Sequence, residues 1–306
     1  MTPLGFGSQT VGGLGYGDQD FGQSQATADA YLEGGGRLID TARGYGTSEI
    51  YVGEALKKFP EAREVVVCSK SGSLHPPVTR ADLDTSRYLI GRETLDVYYV
   101  HVPPAPEALS RLLDAYQRFK DEGRIRLVGV SNKGLTTPEE REESLKYMED
   151  SRIDVMQFPY SFARPEVAPL IAEARRRGIG VVVRQALEGG MFTDRFRPGH
   201  RFTDVANDWR AGVEAAAMDE TLAVIEEIRR RFVRPPYRAR APLALSFVLT
   251  DPNVSATIPG AGSVEEMREN LSCRDLPPLP EEVSAGLVEA ARPLLGLLRR
   301  NRKKAR

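Results

Sequence analysis

Residues 38–46 read Leu38-Ile39-Asp40-Thr41-Ala42-Arg43-Gly44-Tyr45-Gly46, followed by Val52, Ala55, Leu56 and Phe59. A short apolar run ends on a carboxylate, a glycine-flanked turn follows, and a helix leaves the turn. The helix is read from spacing, because apolar residues at i, i+3, i+4 and i+7 share one helical face. Working outward, the same unit recurs. Apolar runs lie at Leu4–Gly7, Leu38–Ala42, Val65–Lys70, Val97–His101, Leu127–Ser131, Val155–Phe158, Val181–Arg184 and Ala256–Pro259, eight in all. Most are continuously apolar rather than alternating, as parallel strands covered on both faces are.

The segments between them are helical in period; Leu109, Leu112, Leu113 and Tyr116 form a second stripe. Gly91, Gly123 and Gly178 each follow a helix, where a left-handed residue satisfies the last carbonyls. Pro165 stands where a helix should begin, a position that does not need its missing N–H.

Eight strands alternating with helices leave a closed barrel or an open doubly wound sheet. An open sheet that binds a dinucleotide wants GxGxxG after its first strand. The stretch Gly12-Gly13-Leu14-Gly15-Tyr16-Gly17-Asp18 fails at Asp18, and no GxxxxGKS/T exists. The stretch reads instead as a mobile loop above the first strand. The expectation is a (β/α)8 TIM barrel, since roughly 250 residues build one as a single domain. Residues 1–306 form that domain, with a loop insertion at 189–212 and a basic tail at 299–306. The insertion holds Phe192, Phe196, Phe202 and Trp209, so it is expected to act as a lid or substrate wall. Residues 234–238, Arg-Pro-Pro-Tyr-Arg, break two helices apart.

Composition limits the function classes. Hydrophobic residues make up 41% and charged residues 28%, and the net charge is -1, so no global field draws nucleic acid or a membrane surface. The tail carries six positive charges; it reads as a solvated terminus, with a polyanion contact as the alternative. Cys68 and Cys273 cannot make a disulfide framework and have no CxxC spacing, which suits a reducing compartment. The start Met-Thr-Pro-Leu-Gly lacks a signal-peptide pattern, and no apolar run approaches the roughly 20 residues of a membrane span. A cytoplasmic protein is expected.

Four polar residues close consecutive strands: Asp40 and Tyr45 after the second, Lys70 on the third, His101 on the fourth. In a barrel those C-terminal ends are adjacent, and polar residues there are functional candidates. The types suit carbonyl reduction. A free tyrosine has a pKa near ~10, and a neighbouring ammonium lowers it. Lys70 supplies that ammonium, Asp40 holds Lys70, and His101 orients the substrate oxygen. A cofactor must bring the hydride, since no side chain donates one. No metal is expected: there is no HExxH, and the histidines are not spaced as ligands.

Asp40-Thr41-Ala42-Arg43-Gly44-Tyr45-Gly46 with Ser48-Glu49 and Gly53 resembles the DTAxxYGxSExxxG signature of the aldo-keto reductase superfamily. His101-Val102-Pro103, Gly129-Val130-Ser131-Asn132, Gln157, Ile258-Pro259-Gly260-Ala261 and Glu269-Asn270 match in order along nearly the whole chain. The resemblance implies a catalytic tetrad of Asp40, Tyr45, Lys70 and His101, with Tyr45 as general acid. It implies that Ser131, Asn132 and Gln157 hold a nicotinamide carboxamide, and that Gly260, Gly262, Glu266 and Asn270 surround the adenosine end of NADPH or NADH. Gly7, Ser8, Arg184 and Leu187 join the cofactor set, and Val102 and Trp209 face the substrate.

There are departures from the family pattern. The hairpin that closes the barrel bottom in many relatives is expected to be missing. Arg184 stands where many members have an aromatic residue. Gly262 replaces a basic residue that relatives use for the 2′-phosphate of NADP, and Glu266 adds a carboxylate. Both should weaken phosphate binding, with Arg268 as the nearest compensating cation.

The leading reading is an NAD(P)H-dependent oxidoreductase acting on an aldehyde or ketone, or on the alcohol in reverse. The alternatives are a catalytically silent cofactor-binding regulatory module and a Schiff-base aldolase using Lys70.

Overall fold

The structure, a computed structural model, describes residues 4–17 and 20–304. Asp18 therefore lies outside the described residues, as do Ala305 and Arg306 of the basic tail. Eight strands follow in order: β1 Phe6–Gly7, β2 Leu38–Asp40, β3 Val66–Ser71, β4 Leu95–Val100, β5 Ile125–Ser131, β6 Val155–Pro159, β7 Gly180–Arg184 and β8 Ala256–Thr257. Each pairs in parallel with the next. A parallel bridge from Leu4 to Thr257 and the bond from Gly5 N to Thr257 O (2.7 Å) bring the last strand back to the first. The expected (β/α)8 barrel is present.

Helices cover the outside: α1 Phe21–Glu33, α2 Ser48–Lys58, α3 Pro76–Ile90, α4 Pro106–Asp121, α5 Pro138–Tyr147 and α6 Ala168–Arg176 follow the first six strands. Two helices, α7 Ala215–Phe232 and α8 Arg240–Thr250, lie between β7 and β8, and α9 Val264–Ser272 and α10 Glu281–Lys304 close the chain. The backbone of the basic tail continues α10 through Lys304. α10 packs on α7, where a Cβ at Gly286 would meet the Phe232 ring at 2.9 Å. Gly91 ends α3 at φ 75°, taking bonds to the Arg87 and Tyr88 carbonyls.

The strands place the site. Side chains alternate between the barrel interior and the helix layer with period two. Leu38, Cys68, Val97, Tyr99, Val155 and Val182 belong to the interior cluster. Two residues on from Leu38, Cys68, Tyr99, Val155 and Val182 come Asp40, Lys70, His101, Gln157 and Arg184. They form the next interior layer, at the C-terminal mouth where barrel active sites form. Gly129 makes room below, because a Cβ there would strike the Tyr99 ring at 2.2 Å.

Candidate active site

Asp40 and Lys70 meet in this layer as a buried ion pair. Lys70 Nζ donates to Asp40 Oδ1 and to the Thr41 carbonyl oxygen at 2.8 Å. Gln157 Nε2 donates to the other carboxylate oxygen of Asp40 at 2.5 Å. Burial pulls the ammonium of Lys70 down, but Asp40 and then Tyr45 more than offset it, so its pKa lies above the ordinary lysine value. Burial raises the Asp40 carboxyl, against the pull of Lys70.

Tyr45 stands above the pair. Lys70 Nζ is 4.9 Å from its ring centroid, and its hydroxyl is 3.4 Å from His101 Nε2. Burial raises the Tyr45 pKa above the ordinary value, and Lys70 lowers it by less. The sequence expectation was a net lowering; the cation acts in the expected direction, but loss of water outweighs it. Tyr45 is thus held protonated. Burial, then Lys70 and Arg184, push the His101 imidazole down to about 3, so it stays neutral.

The signature around Tyr45 is a clamp. Ser48 Oγ reaches Thr41 Oγ1 at 2.9 Å and donates to Ser8 O at 3.0 Å. Buried Glu49 takes Arg43 Nη1 at 2.5 Å and Ser69 Oγ at 2.6 Å. The glycine-rich stretch is the loop above β1 that the sequence suggests, yet it is not a free one. A Cβ at Gly12 would fall 1.8 Å from Tyr45 O. Further along, Gly15 and Tyr16 bridge Asp208, and Gly17 N donates to Asn207 O at 2.9 Å.

A cleft of about 500 Å³ opens above the layer. Asp40, Tyr45 and His101 reach it, and Lys70 lies buried beneath. Of the residues assigned to a cofactor, Gly7, Ser131, Asn132, Gln157, Arg184 and Leu187 line it, together with Gly260, Gly262 and Glu266. Ser8 and Asn270 are buried behind the wall. Ser8 Oγ donates to Asp40 O at 3.0 Å, and Asn270 Nδ2 to Gly260 O at 3.1 Å. Val102 lines the cleft and is exposed. Trp209 is not among the lining residues; it packs on Gly189, whose Cβ would meet the indole at 2.8 Å.

Sequence reading missed the neighbour of that tryptophan. Arg210, buried, forms a forked pair with Asp208 (2.8 and 2.6 Å) and lies 5.1 Å from the Tyr16 ring and 4.3 Å from the Phe202 ring. It ties the 189–212 segment to the loop after β1, and with Tyr16, Phe196 and Arg195 it lines the cleft. These residues come from loops, which carry no periodic signal.

The walls fit a flat amide-bearing ring and a dinucleotide. Among the described residues no donor reaches the buried Oδ1 of Asn132, whose Nδ2 donates to Gln157 O at 3.1 Å. Ser131 Oγ donates to Gln157 Oε1 at 3.3 Å. A buried acceptor without a donor is costly, so a ligand N–H there would be favoured. Gly7 and Gly260 let the cleft's walls approach closely: a Cβ on Gly7 would lie 2.6 Å from Ile258 O, and one on Gly260 2.7 Å from Thr10 Oγ1. Arg184 Nη2 donates to the Asn132 and Lys133 carbonyls at 2.7 and 3.0 Å, and so braces the β5 loop.

Comparison with known proteins agrees with this geometry. The family described as Aldo/keto reductase family matches residues 3–292. The "NADH-specific methylglyoxal reductase" of Escherichia coli is 28% identical, over 90% of this chain and 90% of that protein. A glycerol dehydrogenase from Gluconobacter oxydans shares the fold with a TM-score of 0.77 at 21% identity, covering 94% of this chain and 90% of that one. An aldo-keto reductase from Bacillus halodurans in its holo form gives 0.73 at 23% identity, covering 95% and 92%.

Proposed function

Because the chain belongs to the aldo/keto reductase family, we propose that it moves a hydride between a nicotinamide cofactor and an aldehyde or ketone, with Tyr45 as the proton donor. The observation that carries the reading is the buried Asp40–Lys70 pair beneath Tyr45, with neutral His101 3.4 Å from the phenol. The bound cofactor supplies the hydride. Ser131, Asn132 and Gln157 would hold its carboxamide. Tyr45 donates the proton to the carbonyl oxygen, and Lys70, fixed by Asp40, stabilises the phenolate left behind. His101, neutral, orients that oxygen through a ring nitrogen.

The Schiff-base alternative fares badly on the same geometry. A nucleophilic lysine needs a lowered pKa and access; Lys70 is buried, paired and raised.

The coenzyme preference we infer is for NADH. Glu266 lines the cleft beside Gly262, and a carboxylate there accepts from ribose hydroxyls but repels a 2′-phosphate. The E. coli relative described as NADH-specific supports that direction. The test is fluorescence titration with NADH and NADPH, followed by turnover on a panel of carbonyl compounds for the parent protein and Tyr45→Phe. Binding with turnover that Tyr45→Phe cuts by about 10² to 10⁴-fold is expected. Binding of neither coenzyme would sink the proposal. Binding without turnover would leave the silent regulatory module in its place.

A further inference from the structure

In the family pattern that the sequence resembles, the cation for a 2′-phosphate stands at the position of Gly262, which has no side chain to offer. The structure brings a cation there from elsewhere. Arg195, in the segment after β7, lines the same cleft, and its Nη1 lies 3.6 Å from where a Cβ on Gly262 would be. Its guanidinium does not stand alone: Nη1 faces Glu266 Oε1 at 3.7 Å. The other oxygen of that carboxylate, Oε2, accepts from Gly262 N at 2.7 Å. One carboxylate therefore occupies the N–H and compensates the cation that an anion would otherwise use. Arg268, the cation nominated from the sequence, is exposed and does not line the cleft.

We propose that Arg195 is a phosphate-competent cation masked by Glu266, and that this pair, 71 positions apart in sequence, sets the coenzyme choice. The proposal rests on the NADH reading above. A ribose phosphate carries a charge of roughly -1.5 to -2 at neutral pH. With Glu266 in place it meets a carboxylate and a guanidinium whose charge is already balanced. With Glu266 neutral, the repulsion is gone and the fork of Arg195 is free to take two phosphate oxygens. NADH, which has only a hydroxyl at that position, gains little from the change. Arg195 is half-exposed, so it can swing to the ligand without breaking a packed core.

The experiment titrates NADH and NADPH by fluorescence into the parent protein, Glu266→Gln, Arg195→Ala and the double variant, with a thermal melt of each as a folding control. Gln keeps an amide oxygen for Gly262 N, so the loop is preserved. The parent should favour NADH. Glu266→Gln should tighten NADPH by about 10- to 100-fold, the span of a charge-assisted hydrogen bond or two, with NADH changed far less. Adding Arg195→Ala should erase that gain.

Three outcomes overturn the proposal, and they are distinguishable. A parent that favours NADPH removes the NADH reading and the masking with it. A parent that favours NADH but a Glu266→Gln variant with unchanged NADPH affinity removes the masking alone. A gain that survives Arg195→Ala shows that repulsion by Glu266, not release of Arg195, was the cause.

Discussion

Lys70 Nζ lies 4.9 Å from the centroid of the Tyr45 ring while bonded below to Asp40 and to Thr41 O. The ammonium is thus anchored from beneath and acts upward on the phenol. Lys70→Met would leave Asp40 buried without its counter-ion. We expect a loss of about 3–5 kcal/mol in urea unfolding. Lys70→Met with Asp40→Asn should recover much of that stability but no turnover. A single variant as stable as the parent would contradict the pairing described above.

His101 gives a pH prediction. Its folded pKa is about 3, below the model-peptide value near ~6.5. Between those values the unfolded chain binds the extra proton, so stability rises with pH across that window. His101 therefore favours folding fully above about pH 6.5 and opposes it increasingly as the solution is acidified. His101→Gln should flatten the fall in stability between pH 6.5 and 4.5. The imidazole proton shifts of His101 should not titrate above pH 5; a midpoint near 6.5 would refute the burial argument.

Gly12 and Gly13 separate contact from strain. A Cβ at Gly12 would sit 1.8 Å from Tyr45 O, whereas at Gly13 it would meet nothing within 4 Å, though φ there is 77°. Gly12→Ala must push the Tyr45 backbone and should cut turnover by about 10²-fold. Gly13→Ala should cost roughly 1 kcal/mol of stability and leave kcat near that of the parent. Equal kinetics for the two variants would dismiss the contact.

Arg164 and Glu188 form a further buried pair, 2.6 Å from Nε to Oε1, which also takes Ser161 Oγ at 2.8 Å. It braces the turn after β7, where Gln185 and Glu188 have φ of 61° and 45°. Left-handed non-glycine residues persist only where their surroundings hold them. Arg164→Met should weaken coenzyme binding, raise the coenzyme KM more than it lowers kcat, and lower the unfolding midpoint. An unchanged KM would limit the pair to a purely structural part.

Much of the fold was legible because its strands are short apolar runs closed by polar residues. The edges were not. β4 begins at Leu95 and β5 at Ile125, but Asp96 and Arg126 interrupt those runs with charges that pair across the two strands at 3.0 Å. Asp40, Lys70 and His101 were readable for the same reason as the strands, since each lies at or beside a strand end; Gln157, inside β6, was legible only through the family resemblance. Arg195 and Arg210 gave no such signal. Their meaning comes from Glu266, Tyr16 and Asp208, brought together only by the folded chain. Trp209 drew attention as a lone indole and its backbone N donates to Gly15 O at 3.3 Å, while the guanidinium of Arg210 beside it lies over the Tyr16 and Phe202 rings.

The period-two layer at the mouth divides labour between backbone and loops. Asp40, Lys70 and His101 are indexed by strand register and Tyr45 hangs from the short turn after β2, whereas Val102, Tyr16, Phe196 and Arg210 come from connections that register does not govern. The strand-end layer and the loop-borne walls of the cleft are therefore separately exchangeable. Residues 196–212 are exchangeable with those of a relative, provided that Asp208 and Arg210 travel with the loop they tether, while Arg195 and the strand-end layer beneath stay as they are.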